Sequence, residues 1–283
     1  MGAPLRPARC AAGGGGGGGL LLGVERAKLR GLPSGVELER FSPRPLAGEE
    51  RIAFWRRWLV ERPRGWDQSG RPGSIAYRDE ELAPFHAGDT VFIYIGRYTA
   101  VKRLPLLTSA HARALERLDK PAPLVLVGGH PGEWEGEHPL AAARRIGNRQ
   151  VFLAGWRPHE ELPQALNAAD VLVLPSVAEA FGLVLVEAMA CGLPVIACAA
   201  HGPAAIVADR KSGWLVPPDD EDALVDALPR GRSQPRGTPG ARPTRADRKP
   251  PIRLGGDRPS LRLPVRGDAR VLSESAGSTR RRA

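Results

Sequence analysis

Apolar and polar positions fall into two regimes along this chain. From residue 91 onward, short unbroken apolar runs recur: VFIYI from Val91, PLVLV ending at Val127, VFLA from Val151, VLVL from Val171, PVIA from Pro194 and WLV from Trp214. Runs of this length, rich in Val, Ile and Leu, predict strands buried on both faces of a parallel sheet. Helical spacing intervenes near Leu104 to Arg117, near Glu160 to Asn167, from about Gly182, near Pro203 to Ala208 and near Glu221 to Leu228. The alternation predicts an α/β fold, a Rossmann-like doubly wound parallel sheet over residues 89–228. Residues 33–88 break the pattern. There FWRRWLVERPRGW, from Phe54, predicts a short amphipathic helix followed by a Gly/Pro/Ser loop. This stretch reads as a linker and elaboration packed on the domain's edge, with a lid or acceptor-side wall as the second reading.

Composition changes the picture at both ends. All fifteen aromatic residues of the 283-residue chain lie between Phe41 and Trp214, so neither end can build a core. Residues 229–283 carry fourteen Arg and Lys249 against Asp247, Asp257, Asp268 and Glu274, a net of +11, whereas the whole chain is +10. The basicity therefore belongs to this tail. Its Arg residues are scattered among Pro and Gly without aromatic partners for base stacking, which predicts a disordered tail and no specific nucleic-acid partner. Residues 1–32, with seven consecutive glycines from Gly13 to Gly19, are expected to be disordered as well. Leu20 to Leu22 is too short to span a membrane, and Cys10, Cys191 and Cys198 show no metal-ligand spacing. The chain thus reads as cytoplasmic and metal-free, with Cys191 and Cys198 as small buried side chains.

The candidate chemistry lies just past the strand ends. Gly96, Arg97 and then Lys102 follow the first run; Gly128 and Gly129 follow the second; Gly155 and Trp156 follow the third; Glu179, Phe181 and Gly182 follow the fourth. Open α/β sheets bind ligands along this edge. Glycines allow close approach to backbone, cations suit a phosphate, and a helix starting near Gly182 offers unpaired N–H groups to an anion. Glu187, with two acceptor oxygens, suits vicinal hydroxyls such as those of a ribose. The set describes a nucleotide diphosphate carrying a hydroxyl-rich group. Of the six histidines none forms a metal pair at helical spacing; His201 either borders the site or is a loop histidine bonded to backbone.

The ordered series SGVELERFSP, IGRYTAVKRLPLL, LVLVGG, VFLAGW, ADVLVLPS, EAFGLVLVEAMACGLPVIA and SGWLVPPDD resembles the C-terminal, donor-binding half of the retaining glycosyltransferases of GT-B fold, the glycosyl transferases group 1 family, from about Pro33 to Leu228. The resemblance implies transfer of a sugar from a nucleotide-diphosphate donor, UDP- or GDP-linked, to a glycan, lipid or small-molecule acceptor, with retention of configuration and without a cofactor. It implies that Arg97 and Lys102 hold the diphosphate and that Glu179 faces the sugar hydroxyls. It further implies that Phe181, Gly182 and Leu183 present backbone N–H groups, that Glu187 binds the ribose, and that the base lies near Trp156, Arg157 and Leu162. Gly96 and Gly129 complete the donor set.

Two departures qualify the resemblance. The chain has Ala205 where the family usually has Glu, and nothing before Pro33 encodes the acceptor-binding domain. Both ends are accordingly expected to be frameshifted or the chain to be a fragment, with a genuine short protein as the alternative. The competing function is a non-catalytic nucleotide-sugar-binding module, its acceptor domain supplied by a separate polypeptide. A UDP-sugar epimerase of the same architecture ranks third.

Overall fold

All six apolar runs become strands of one sheet. The computed structural model describes residues 9–11, 30–32, 35–87 and 90–233. The glycine run Gly13 to Gly19 and the basic stretch 234–283, both expected to be disordered, lie outside the described residues. Within the first segment, Arg9–Ala11 (β1) and Arg30–Leu32 (β2) form a short parallel pair. The main sheet comprises Phe92–Gly96 (β3), Leu124–Gly128 (β4), Val151–Gly155 (β5), Val171–Leu174 (β6), Val195–Cys198 (β7) and Gly213–Val216 (β8). The order is β5-β4-β3-β6-β7-β8 with every pairing parallel, a doubly wound sheet whose winding reverses between β3 and β6.

The strands are buried on both faces because helices cover both. Leu104–Leu115 (α3) packs between Pro139–Arg145 (α4) and Glu221–Ser233 (α8). Elsewhere Leu162–Ala168 (α5), Leu183–Ala190 (α6) and His201–Ile206 (α7) follow β5, β6 and β7 in turn. Helix α4, between β4 and β5, is not predicted by spacing, being short, alanine-rich and opened by Pro139. Helix α8 outruns its predicted end at Leu228 and carries Pro229 inside it. Tertiary packing overrides the proline: Leu228 and Gly231 are buried, and a Cβ at Gly231 would lie 3.0 Å from Ile196 and 3.1 Å from Val171.

Residues 41–85 do pack on the domain's edge, and they belong to its core. Gly48–Arg56 (α1) continues as a π-helical turn, Arg57–Glu61, and Ala83–Ala87 (α2) closes the segment. Phe41, Phe54, Trp55, Trp58, Trp66 and Phe85 are buried in one apolar cluster with the sheet. The indoles of Trp55 and Trp66 donate to Ala168 O and Gly129 O, both at 3.1 Å, so their burial leaves no orphan N–H. The segment also shields the outer edge of β5. Tyr77 OH accepts from Leu153 N at 2.8 Å, and Gly155, at φ +69°, lies so close to Arg64 that a Cβ would fall 1.9 Å from its carbonyl oxygen.

Cys191 and Cys198 are buried thiols, as expected. No described helix is long and apolar enough to cross a membrane. His111 is wholly buried on α3. Its Nε2 donates to Ala122 O at 2.7 Å and its Nδ1 accepts from Asn148 Nδ2 at 3.0 Å, an arrangement that suits the neutral ring. Burial pushes its pKa from 6.5 down to about 4.

Two predictions follow from this packing. Gly155→Ala strains the backbone and collides with Arg64, and should lower unfolding stability by roughly 3 kcal/mol in urea titration. The neutral ring of His111 makes stability complete above pH 6.5 and eroded as pH falls toward 4, by up to roughly 3 kcal/mol from this group alone. The decline of melting temperature between pH 7 and pH 5 should therefore be shallower in His111→Asn than in wild type, whatever the variant's absolute stability.

Candidate functional site

The winding reversal between β3 and β6 places two loops side by side at the C-terminal ends of the strands, with no crossover helix between them. Val177 N donates to Val101 O at 3.0 Å and ties the loops together. Lys102, on the first, and Glu179, on the second, form an ion pair there, Nζ to Oε2, with both side chains less than one-fifth exposed. Two residues that the sequence separates by more than seventy positions are thus joined at the switch point.

Arg97 leads the same loop. Its guanidinium is exposed and its carbonyl accepts from Tyr94 OH at 2.7 Å. Gly96 is required because that hydroxyl crosses directly above it, 2.6 Å from where a Cβ would stand. Beside Arg97 opens a cleft of about 320 Å³, lined also by Thr99, His130, Glu133, Trp134 and Glu135. Gly129 N donates to Gly96 O at 3.0 Å, and a Cβ on Gly129 would enter the Tyr98 ring at 2.7 Å. At Gly96 and Gly129 the close approach in the structure is made by the Tyr94 hydroxyl and the Tyr98 ring.

The turn after Glu179 leads into α6. Gly182 caps the helix in the left-handed region at φ +84°, and Leu183, its first residue, is exposed. Phe181, half-buried, lies beneath α7: a Cβ on Gly202 would meet Phe181 O at 2.5 Å, and Gly202 N donates to Glu179 O at 3.0 Å. The segment carrying His201 consequently borders the site; His201 itself is exposed and left-handed at φ +50°.

Glu187 lies one helical turn into α6 with its carboxylate 5 % exposed. Its Oε1 accepts from His159 Nε2 at 2.6 Å. No motif in the sequence marks His159. Trp156, the first residue after β5, is 49 % exposed, whereas Leu162 is buried at the start of α5. Arg157 differs from expectation. Its guanidinium is buried over the Trp58 ring and donates to Ala154 O, Trp58 O and Arg62 O at 3.2, 2.8 and 3.0 Å. Burial lowers its pKa to about 10. The side chain holds residues 58–62 to β5, so only its backbone remains for a base contact.

Two further buried hydroxyls, Thr99 Oγ1 and Ser176 Oγ, belong to the switch-point loops and lack a partner among the described residues. Among the described residues no group of three or more His, Cys, Asp or Glu is placed to hold a metal ion.

The sheet and its paired switch-point loops define a Rossmann-like domain of the GT-B type. Residues 79–231 match the family described as Glycosyl transferases group 1, and the chain belongs to that family. It is 33 % identical over 215 residues to D-inositol 3-phosphate glycosyltransferase of Kribbella flavida, a match covering 74 % of this chain and 43 % of that protein. The namesake from Mycobacteroides abscessus is 37 % identical over 162 residues, 56 % of this chain and 35 % of that one. The chain thus spans less than half the length of these relatives. Among solved structures, sucrose-phosphate synthase from Thermosynechococcus elongatus superposes with a TM-score of 0.54 at 28 % identity, over 75 % of this chain and 46 % of that one. Anabaena HepE in complex with UDP-glucose superposes with a TM-score of 0.52 at 22 % identity, over 73 % and 48 %.

The structural assignment of Arg157 is testable. Arg157→Ala leaves three carbonyls short of a donor and should lower unfolding stability by about 3 kcal/mol in urea titration. Arg97→Ala, at an exposed site, should change it by less than about 0.5 kcal/mol.

Proposed function

We propose that this chain is the donor-binding half of a glycosyltransferase. The observation that carries the reading is the Lys102–Glu179 pair at the switch point, flanked by exposed Arg97 and followed one helix turn later by buried Glu187. A nucleotide-diphosphate sugar satisfies all of these groups at once. Its diphosphate takes Lys102 and Arg97, its sugar hydroxyls take Glu179, and its ribose hydroxyls take Glu187. The first amides of α6, at Leu183 and Val184, have no intrahelical acceptor and add positive potential toward the phosphates. Trp156 offers an exposed apolar face on the side where the base would lie. The HepE complex with UDP-glucose supports a donor of this class on the same fold.

In transfer, the acceptor hydroxyl oxygen bonds to the anomeric carbon on the face the nucleotide leaves, so configuration is retained. The bond from that carbon to the diphosphate oxygen breaks, its electron pair stays on the diphosphate, and the acceptor's proton passes to a phosphate oxygen. Lys102 and Arg97 stabilise the charge that develops on the leaving group, the type of term that commonly dominates such steps. The acceptor site belongs to a second half beyond this domain.

Calorimetric titration of the full chain with UDP-, GDP- and ADP-glucose tests the donor site. Saturable binding to one of them, weakened at least about tenfold by Lys102→Ala and by Glu187→Ala, is the expected result. A folded chain that binds none of the three overturns it. Binding with neither transfer nor donor hydrolysis would assign the chain to the non-catalytic donor-binding class instead.

A further inference from the structure

We infer that His159 is a positioning residue for the nucleoside end of the donor, acting through Glu187; the inference rests on the reading of Glu187 as the ribose-binding carboxylate. A lone buried carboxylate can turn about its last side-chain bond and present either oxygen to a ligand. Glu187 cannot turn freely. Its Oε1 accepts from His159 Nε2 at 2.6 Å, a short charge-assisted bond, which leaves Oε2 as the oxygen committed to the ligand. Because a carboxylate accepts, Nε2 carries the proton and the imidazole tautomer is set by this bond.

His159 is itself held on two sides. Its ring lies against Phe41, with centroids 5.2 Å apart, and Phe41 is 1 % exposed. The following residue, Glu160, pairs with Arg40 at 3.1 Å, and the Arg40 guanidinium in turn lies 5.9 Å from the centre of the Phe41 ring. Residues 40–41 thus hold the 310 turn His159–Glu161, and that turn delivers the imidazole to Glu187 on α6. The imidazole is nevertheless 46 % exposed, so it is no core histidine packed for stability alone. It borders the space where the nucleoside would enter.

The consequence is specific. Fixing Glu187 holds Oε2 in one place, so a ribose that sets both hydroxyls against it gains the full interaction, whereas a 2′-deoxyribose that lacks one cannot make up the loss by having the carboxylate turn toward it. Loss of His159 would let Glu187 rotate and blur that preference.

The test titrates the full chain with UDP-glucose and with its 2′-deoxyribose counterpart, for wild type, His159→Ala, His159→Gln, Glu187→Gln and the double variant His159→Ala/Glu187→Gln. His159→Ala should weaken UDP-glucose binding by about tenfold, the scale of one charge-assisted hydrogen bond, and narrow the preference for the ribose donor. His159→Gln, whose side-chain amide can replace Nε2–H, should recover most of both. The double variant should bind no more weakly than Glu187→Gln, since the two residues act as one unit. Losses that multiply in the double variant, or an unchanged ribose preference in His159→Ala, overturn the inference while leaving the donor site intact. If Glu187→Gln has no effect, or wild type binds neither sugar nucleotide, the reading of Glu187 falls and this inference with it.

Discussion

The reversal of strand order between β3 and β6 is the constraint on which the site depends. Crossovers between parallel strands are right-handed, so a sheet that winds outward in both directions from its centre must leave two adjacent strand ends whose following helices lie on opposite faces. Among the described residues no helix covers the gap between them. The loops after β3 and β6 meet there, tied by the Val177–Val101 backbone bond, and they bring Lys102 to Glu179. Everything else assigned to the site is placed relative to this junction: Arg97 five residues before Lys102, and Glu187 eight residues after Glu179 on the helix that the second loop begins.

A second layer of organisation comes from residues 41–85. Without them β5 would be an open edge, with the Leu153 amide unpaired and the aromatic cluster around Trp55, Trp58 and Trp66 absent from the core. The segment covers that edge with the Tyr77 hydroxyl and a close backbone contact at Gly155, and its Trp58 and Arg62 carbonyls accept from the buried guanidinium of Arg157. It also places Phe41 under His159. Residues that read as an elaboration beside the domain therefore also support His159, the partner of Glu187, through contacts that serve stability and position together.

The sheet was legible in the sequence because its strands are buried on both faces and read as unbroken Val, Ile and Leu runs. Lys102, Glu179 and Glu187 were legible because they follow such runs and the family resemblance orders them. What escaped has a physical reason in each case. Helix α4 is too short and too alanine-rich for an apolar stripe, and Pro229 signals a break that the burial of Leu228 and Gly231 overrides. Arg157 is set near the base by the family resemblance, yet carbonyls that hold its guanidinium come from residues 58 and 62, nearly one hundred positions earlier. The bond between His159 and Glu187 spans 28 positions without periodicity, and only the fold brings the two together. Strand-end glycines read as room for a ligand; that Tyr94, Tyr98 and Arg64 crowd Gly96, Gly129 and Gly155 is a tertiary fact that no spacing shows.

The ion pair at the switch point also bears on which anions the site would admit. Lys102 at rest is already neutralised by Glu179, so an incoming anion must displace a carboxylate before it gains the lysine. Inorganic phosphate has few hydroxyl protons, all on the same phosphorus whose oxygens Lys102 would take, so it is poorly built to satisfy both ions at once. A sugar nucleotide, the proposed ligand, would bring hydroxyl donors for that carboxylate along with its phosphates, so both ions would be satisfied again after the swap. On the proposed reading the pairing favours a counter-ion whose hydrogen-bond donors stand well apart from its phosphates, because only such an ion can meet the lysine and the carboxylate in their separate places.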